Sequence, residues 1–300
     1  MLKSMPKRSI KKPIFLNCFS RGGSNIFWNL FLSHPQACSP IHETLAIFRA
    51  DWRRPAFAGL CFAVLSGQLR FFDQWKLEER QPLNRLAARF LDSTLQRRKT
   101  DTLSDLEMRY KNECEVYSAD EVEACRLVAK HNNGLAYLTG PLLDVYPDAS
   151  FFALVRHPVA LYESHLRRGI AKSPGQFVSF FNTVARKVIE DQDKYPRYHL
   201  VRFEDALDDP VGTAKRLQTL AGFEPALCPK LRFKAKRHFR SNGTYGSELE
   251  EGRHYWFAPD EVREFFEPSV NRIQEEQLDR NEARTVFDAT ENVRHILGYE

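Results

Sequence analysis

Two sets of residues have the types and spacing to hold phosphate. The first is the turn Ser20-Arg21-Gly22-Gly23-Ser24-Asn25, which separates an apolar run from an apolar-rich segment. Two glycines free the backbone there, and Arg21 supplies fixed charge that can grip two oxygens at once. Ser20, Ser24 and Asn25 add side-chain donors. A glycine turn between a strand and a helix also presents backbone N–H groups and the positive end of the helix dipole to an anion. Chain reversal alone is the plainer use of such a turn. The second set is Arg156 and Ser164, eight residues apart across Pro158. An arginine at a strand end and a serine two turns into the next helix can converge on another phosphate. Taken singly, Arg156 also reads as a surface charge after a strand, and Ser164 alone reads as a helix-surface serine.

The elements that would position these residues are legible from periodicity. Pro13 to Phe19 reads as a buried strand. Ile26, Phe27, Leu30 and Phe31 then recur at helical spacing until Pro35. A second strand is expected at Ala37 to Ile41, ending in His42-Glu43-Thr44. From about Arg49 to Glu115 the chain turns to long, charged, helix-period stretches. Ser118, with Glu121 three residues on, reads as a capped start of a helix or strand that reaches Lys130. Ser150 to Val155 (SFFALV) is the clearest buried strand, and it runs into Arg156-His157-Pro158 and helical spacing through Tyr162 and Leu166. Tyr198 to Phe203 is a further strand, followed by a helix that stops at Gly222. Strands alternating with helices imply an α/β fold, a three-layer sandwich with a central parallel sheet. Such sheets place ligands at the carboxyl ends of their strands, where Ser20, Glu43 and Arg156 all fall.

Composition narrows the class. A chain of 300 residues with 44 Lys plus Arg against 39 Asp plus Glu has a net charge of +5. That suits an anionic ligand but is too mild, without a concentrated patch, to argue for nucleic acid. The six cysteines form no C-x-x-C pair and read as free thiols of a reducing compartment. No stretch reaches the ~18 apolar residues of a membrane span, and the basic segment 1–12 lacks the apolar core of a signal peptide. It reads as a solvated tail, and the chain as a cytoplasmic protein. No His pair has metal-site spacing. The tryptophans Trp28, Trp52, Trp75 and Trp256 read as partly buried anchors. Arg97-Arg98-Lys99 and Arg167-Arg168 read as solvated faces. A triphosphatase would need G-x-x-x-x-G-K-[ST] at the glycine turn, and neither the lysine nor the spacing is present.

Together the runs Arg21-Gly22-Gly23-Ser24-Asn25, Phe151 to Ser164 (FFALVRHPVALYES) and Val201 to Pro210 (VRFEDALDDP) resemble the sulfotransferases that use 3′-phosphoadenosine 5′-phosphosulfate (PAPS). The order of the three runs is also that family's. The resemblance implies a P-loop-NTPase-like fold over 1–300 as a single domain. Residues 49–115, whose period reads as a helical insertion over the sheet, match nothing in that resemblance and are expected to choose the acceptor. The resemblance further implies that Ser20 to Asn25 hold the 5′-phosphosulfate and that Arg156 and Ser164 hold the 3′-phosphate. It also suggests a C-terminal loop over the nucleotide, matched here by Arg240, Asn242 and Gly243. Gly22 and Asn25 stand where the family has a serine and a threonine. The expected reaction moves a sulfonate group to a hydroxyl or amine of a small-molecule acceptor without a metal, leaving adenosine 3′,5′-bisphosphate. Glu43 and His131 are rival bases, with His42 behind them, and Lys130 is a candidate second cation at the sulfonate. A kinase on a related P-loop fold and a non-catalytic nucleotide-binding protein remain as alternatives.

Overall fold

The computed structural model describes residues 9–39, 47, 57–67, 80–235, 249–250 and 252–300, with the side chains of 131–135 outside that description. Five strands form one parallel sheet in the order β2-β3-β1-β4-β5, joined through helices. The strands are β1 (Ile14–Cys18), β2 (Ala37–Cys38), β3 (Arg126–Asn132), β4 (Ser150–Val155) and β5 (Tyr198–Arg202). A two-stranded antiparallel sheet pairs β6 (Leu231–Lys234) with β7 (His254–Phe257). By its contacts the chain divides into two compact units, Met1–Asn17 with Pro35–Phe151, and Cys18–His34 with Phe152–Glu300.

β1 and β4 are buried at every position, as expected of strands covered on both faces. In the first unit Phe15 of β1 packs on Tyr146 and Phe151, with ring centroids 5.9 and 5.1 Å apart. In the second, Phe19, Phe181 and Phe177 stack in series at 5.0 and 5.6 Å. Burying each such ring contributes about 1.5–3 kcal/mol. The expected helix after the glycine turn is α1 (Ser24–Leu32), which buries Ile26, Phe27, Leu30 and Phe31. The helices Pro158–Arg167, Pro174–Lys194 and Pro210–Ala221 each begin with proline, whose missing N–H costs nothing at that position. Gly222, at φ 78°, ends the last of them.

Several local expectations are corrected. Ser118 and Glu121 do form a capping box, but its helix stops at Ala124, and Lys130 stands on the separate strand β3. β2 ends at Cys38, short of the expected Ile41; Ser39 is already out of the strand, and its carbonyl accepts the Thr102 hydroxyl. The segment 49–115 contains the helices Phe57–Ser66 and Arg85–Thr100. The basic tail is not solvated to residue 12. Ser9 and Ile10 donate their backbone N–H groups to the buried carboxylate of Asp92 at 2.9 and 3.2 Å, and Ile10 is itself buried. Lys99 is not on a solvated face either. Buried, it donates to the carbonyls of Glu123 and Cys125 at 2.8 and 2.6 Å, which satisfies a charge that the interior could not otherwise hold. Arg97, Arg167 and Arg168 are exposed as expected. All six cysteines are free thiols. Trp28 and Trp256 are half-buried, while Trp52 and Trp75 lie outside the described residues.

Candidate functional site

The second unit holds an open cavity. Arg21, Gly23, Ser24 and Asn25 line one side of it, and Arg156 and Ser164 line it too. Residues about 140 positions apart in the chain are thus brought to one place. Phe203, Phe233 and Phe265 give it an apolar wall, with Asn29, Lys234 and Gln274 among the further polar lining.

The glycine turn is built under backbone constraint. Arg21 itself occupies the left-handed region at φ 67°, and Gly23 does so at φ 86° as the residue before α1. A non-glycine residue held there is uncommon and concentrates at functional sites. A Cβ on Gly23 would lie 2.1 Å from the Phe203 ring. Gly23 is therefore required by its own backbone angle and by a neighbouring ring, not only by approach to a ligand. Ser20 and Gly22 shape the turn from within. The Gly22 N–H donates to the Phe19 carbonyl at 3.0 Å, and the Ser20 carbonyl accepts from His165 at 2.7 Å.

Arg156 follows β4 directly and is 3% exposed. Its Nε and Nη2 donate to Asn271 Oδ1 at 2.9 and 2.8 Å, Nη2 donates to Gln274 Oε1, and Nη1 donates to the Arg21 carbonyl at 3.1 Å. Its guanidinium lies over the Phe203 ring, 4.4 Å from the centroid. Asn271 donates to Glu204 Oε1 at 2.6 Å, and the same carboxylate accepts from the His157 N–H at 3.0 Å and from the Tyr299 hydroxyl at 2.8 Å. Asp205 accepts from Arg202 at 3.2 Å and from Arg216 at 2.6 Å. The run Arg202-Phe203-Glu204-Asp205, read from sequence only as a family segment, is thus the scaffold behind Arg156.

The charges explain what the cavity attracts. Burial lowers the pKa of Arg21, repulsion from Arg168 and Arg167 lowers it further, and Glu163 opposes them. Burial also pushes Arg156 down to about 10, against the pull of Glu204. Both remain cationic near neutrality, and a bound anion would relieve both penalties. His165, 1% exposed, is pushed down to about 4 by burial, with Arg21 and Arg156 adding to the effect against the Ser20 hydrogen bond. It is neutral, and its Nε2–H donates to Ser20. Ser164 Oγ accepts from Arg21 Nε over a long 3.4 Å. Two guanidinium groups, a helix N-terminus and a serine on one cavity fit a ligand with more than one phosphate-like group.

Lys130 is nearly buried on β3, which also carries the backbone of His131. His42, Glu43, Arg240, Asn242 and Gly243 lie outside the described residues. Sequence reasoning missed Asn271, Gln274 and His165. Asn271 and Gln274 share a face of the Val270–Glu275 helix at i, i+3 spacing, but nothing in that spacing names Arg156 as their partner.

Residues 13–225 match the sequence model of the Sulfotransferase family. The chain belongs to the sulfotransferase family. It is also similar to omega-hydroxy-beta-dihydromenaquinone-9 sulfotransferase Stf3 of Mycobacterium bovis and of Mycobacterium tuberculosis, each 31% identical over a stretch covering 30% of this chain and 28% of that protein. The match therefore spans under a third of those curated relatives. Among solved structures, the chain resembles the sulfotransferase domain of the Synechococcus PCC 7002 olefin synthase, with TM-score 0.52, 16% identity and coverage of 99% and 98% of the two chains. A sulfotransferase domain from the curacin biosynthetic pathway gives TM-score 0.51, 17% identity and coverage of 98% and 99%. Both likenesses concern the fold. Among the described residues no helix is long and apolar enough to cross a membrane, and no group of His, Cys, Asp and Glu has the makings of a metal site.

Proposed function

We propose that the protein transfers a sulfonate group from PAPS to a hydroxyl or amine of a small-molecule acceptor, leaving adenosine 3′,5′-bisphosphate. The observation that carries this reading is the convergence of Arg21 and the α1 N-terminus with Arg156 and Ser164 on one cavity. When bound, PAPS supplies the sulfonate and a phosphate leaving group. Arg21, Ser20 and the Gly22–Asn25 turn hold the 5′ end, and Arg21 stabilises the charge that builds on the leaving oxygen. Arg156 and Ser164 hold the 3′-phosphate, while Phe233 and Phe265 offer apolar surface to the base. Arg240, Asn242 and Gly243 are assigned to a loop over the nucleotide. Glu43 or His131 takes the acceptor proton, and Lys130 adds positive charge at the sulfonate. No metal is assigned, since side-chain cations do the work. The Stf3 relatives are named for an omega-hydroxy compound, which favours a hydroxyl acceptor. We read 1–300 as one functional domain in which 49–115 selects the acceptor, and the free thiols as those of a cytoplasmic protein.

Binding of two nucleotides tests the assignment. Arg156→Ala is expected to weaken adenosine 3′,5′-bisphosphate about tenfold or more, as loss of a charged hydrogen bond of about 1.5–3 kcal/mol requires, while adenosine 5′-phosphate is little affected. Ser164→Ala, which leaves the Asn271 and Gln274 contacts in place, should show the same selectivity to a smaller degree. Equal losses for both ligands in calorimetric titrations would remove this pair from the 3′-phosphate.

A further inference from the structure

A buried arginine ordinarily finds a carboxylate. Arg156 does not touch one. The hydrogen-bond acceptors around it are Asn271 Oδ1, Gln274 Oε1 and the Arg21 carbonyl, all neutral. The carboxylate of this network, Glu204, is held one residue away, bonded to the far end of the Asn271 amide and engaged there by His157 and Tyr299 as well. Gln274 is fully buried yet lines the cavity, so its amide lies where Arg156 meets the ligand space. The helix that carries both amides packs on the Pro158–Arg167 helix that carries Ser164.

We propose that Asn271 and Gln274 are positioning residues that fix the Arg156 guanidinium through neutral acceptors and so keep it free of a directly bonded carboxylate, with Glu204 acting on it only from one residue away. The inference rests on the nucleotide reading above. An amide accepts a hydrogen bond with the same geometry as a carboxylate but adds no charge. The guanidinium is thereby oriented in advance at little loss of its attraction for a phosphate, and less ordering remains to be done on binding.

Gln274→Glu and Gln274→Leu separate charge from shape. Glutamate keeps the acceptor and neutralises Arg156, whereas leucine removes the acceptor and leaves the charge. Gln274→Glu is expected to lose about tenfold or more of its affinity for adenosine 3′,5′-bisphosphate while holding adenosine 5′-phosphate near the wild-type value, and Gln274→Leu should lose less. A merely structural contact predicts the reverse order, so a leucine variant hit as hard as the glutamate one, or harder, overturns the proposal. Melting temperatures are read alongside, and should Gln274→Glu not fold, Gln274→Met joins Gln274→Leu: both neutral variants are expected to keep the preference for adenosine 3′,5′-bisphosphate to within about tenfold, and loss of that preference in both overturns the proposal. If the wild-type protein itself does not prefer the 3′-phosphorylated nucleotide, the nucleotide reading falls. If it does and Gln274→Glu still binds it as tightly, only the positioning inference falls.

Discussion

At Arg21 and Arg156 two guanidinium groups are kept partly or wholly out of water, and His165 beside them shows what that does to a titratable ring. Folded His165 takes up a proton only near about 4, whereas an unfolded imidazole does so near ~6.5. Between those values the unfolded chain binds more protons, so stability rises with pH there. The contribution is complete above ~6.5, falls as the pH drops toward 4, and amounts in full to about 3 kcal/mol. His34, His199 and His254 are also pushed down by burial, so the wild-type slope has several sources and a variant must isolate this one. Denaturant melts across pH 4–7 are expected to show His165→Gln with a shallower dependence, by roughly one proton. An unchanged slope would mean that His165 is not buried neutral against Ser20.

Among the elements, the entry to α1 is where backbone and ligand requirements have to be separated. Gly23 at φ 86° carries a cost of about 1–2 kcal/mol for any L side chain, and the ring it would strike is itself covered by Arg156. Gly22 lies outside the left-handed region, and a Cβ there meets the Phe19 carbonyl oxygen at 3.1 Å, a tight but milder contact. Gly23→Ala should therefore lower the melting temperature by several degrees, at about 2–4 °C per kcal/mol, and Gly22→Ala by less. If Gly23→Ala instead melts like wild type while losing nucleotide affinity, the glycine serves the ligand alone. The turn's glycines and the following helix were legible in the sequence, because φ preference and apolar period are local properties. Phe203 beneath Gly23 was not, since no short-range pattern links positions 180 residues apart.

At the scale of the molecule, a chain of net charge +5 concentrates Arg21, Arg156 and Lys234 on one cavity. A ligand that binds only the folded state stabilises it by mass action, by about 2.7 kcal/mol at one hundred times its dissociation constant. Adenosine 3′,5′-bisphosphate is thus expected to raise the melting temperature in a concentration-dependent way, more than adenosine 5′-phosphate, with or without magnesium. A thermal-shift titration checks this. A shift seen only with ATP and magnesium would move the reading toward phosphoryl transfer.

What the sequence by itself determined were the pieces whose physics is short-range: buried strands at Ile14–Cys18 and Ser150–Val155, the turn before α1, the capping box at Ser118, and the eight-residue reach from Arg156 to Ser164. Their order was enough to suggest the family. The tertiary structure alone decided who holds Arg156, because Asn271 and Gln274 stand 115 and 118 positions away and reach it only through helix packing. It also decided that Lys99 is buried rather than solvated, since the carbonyls that accept its protons belong to a different element. Partners of polar side chains are chosen by packing at long range, and a linear pattern carries no record of that choice.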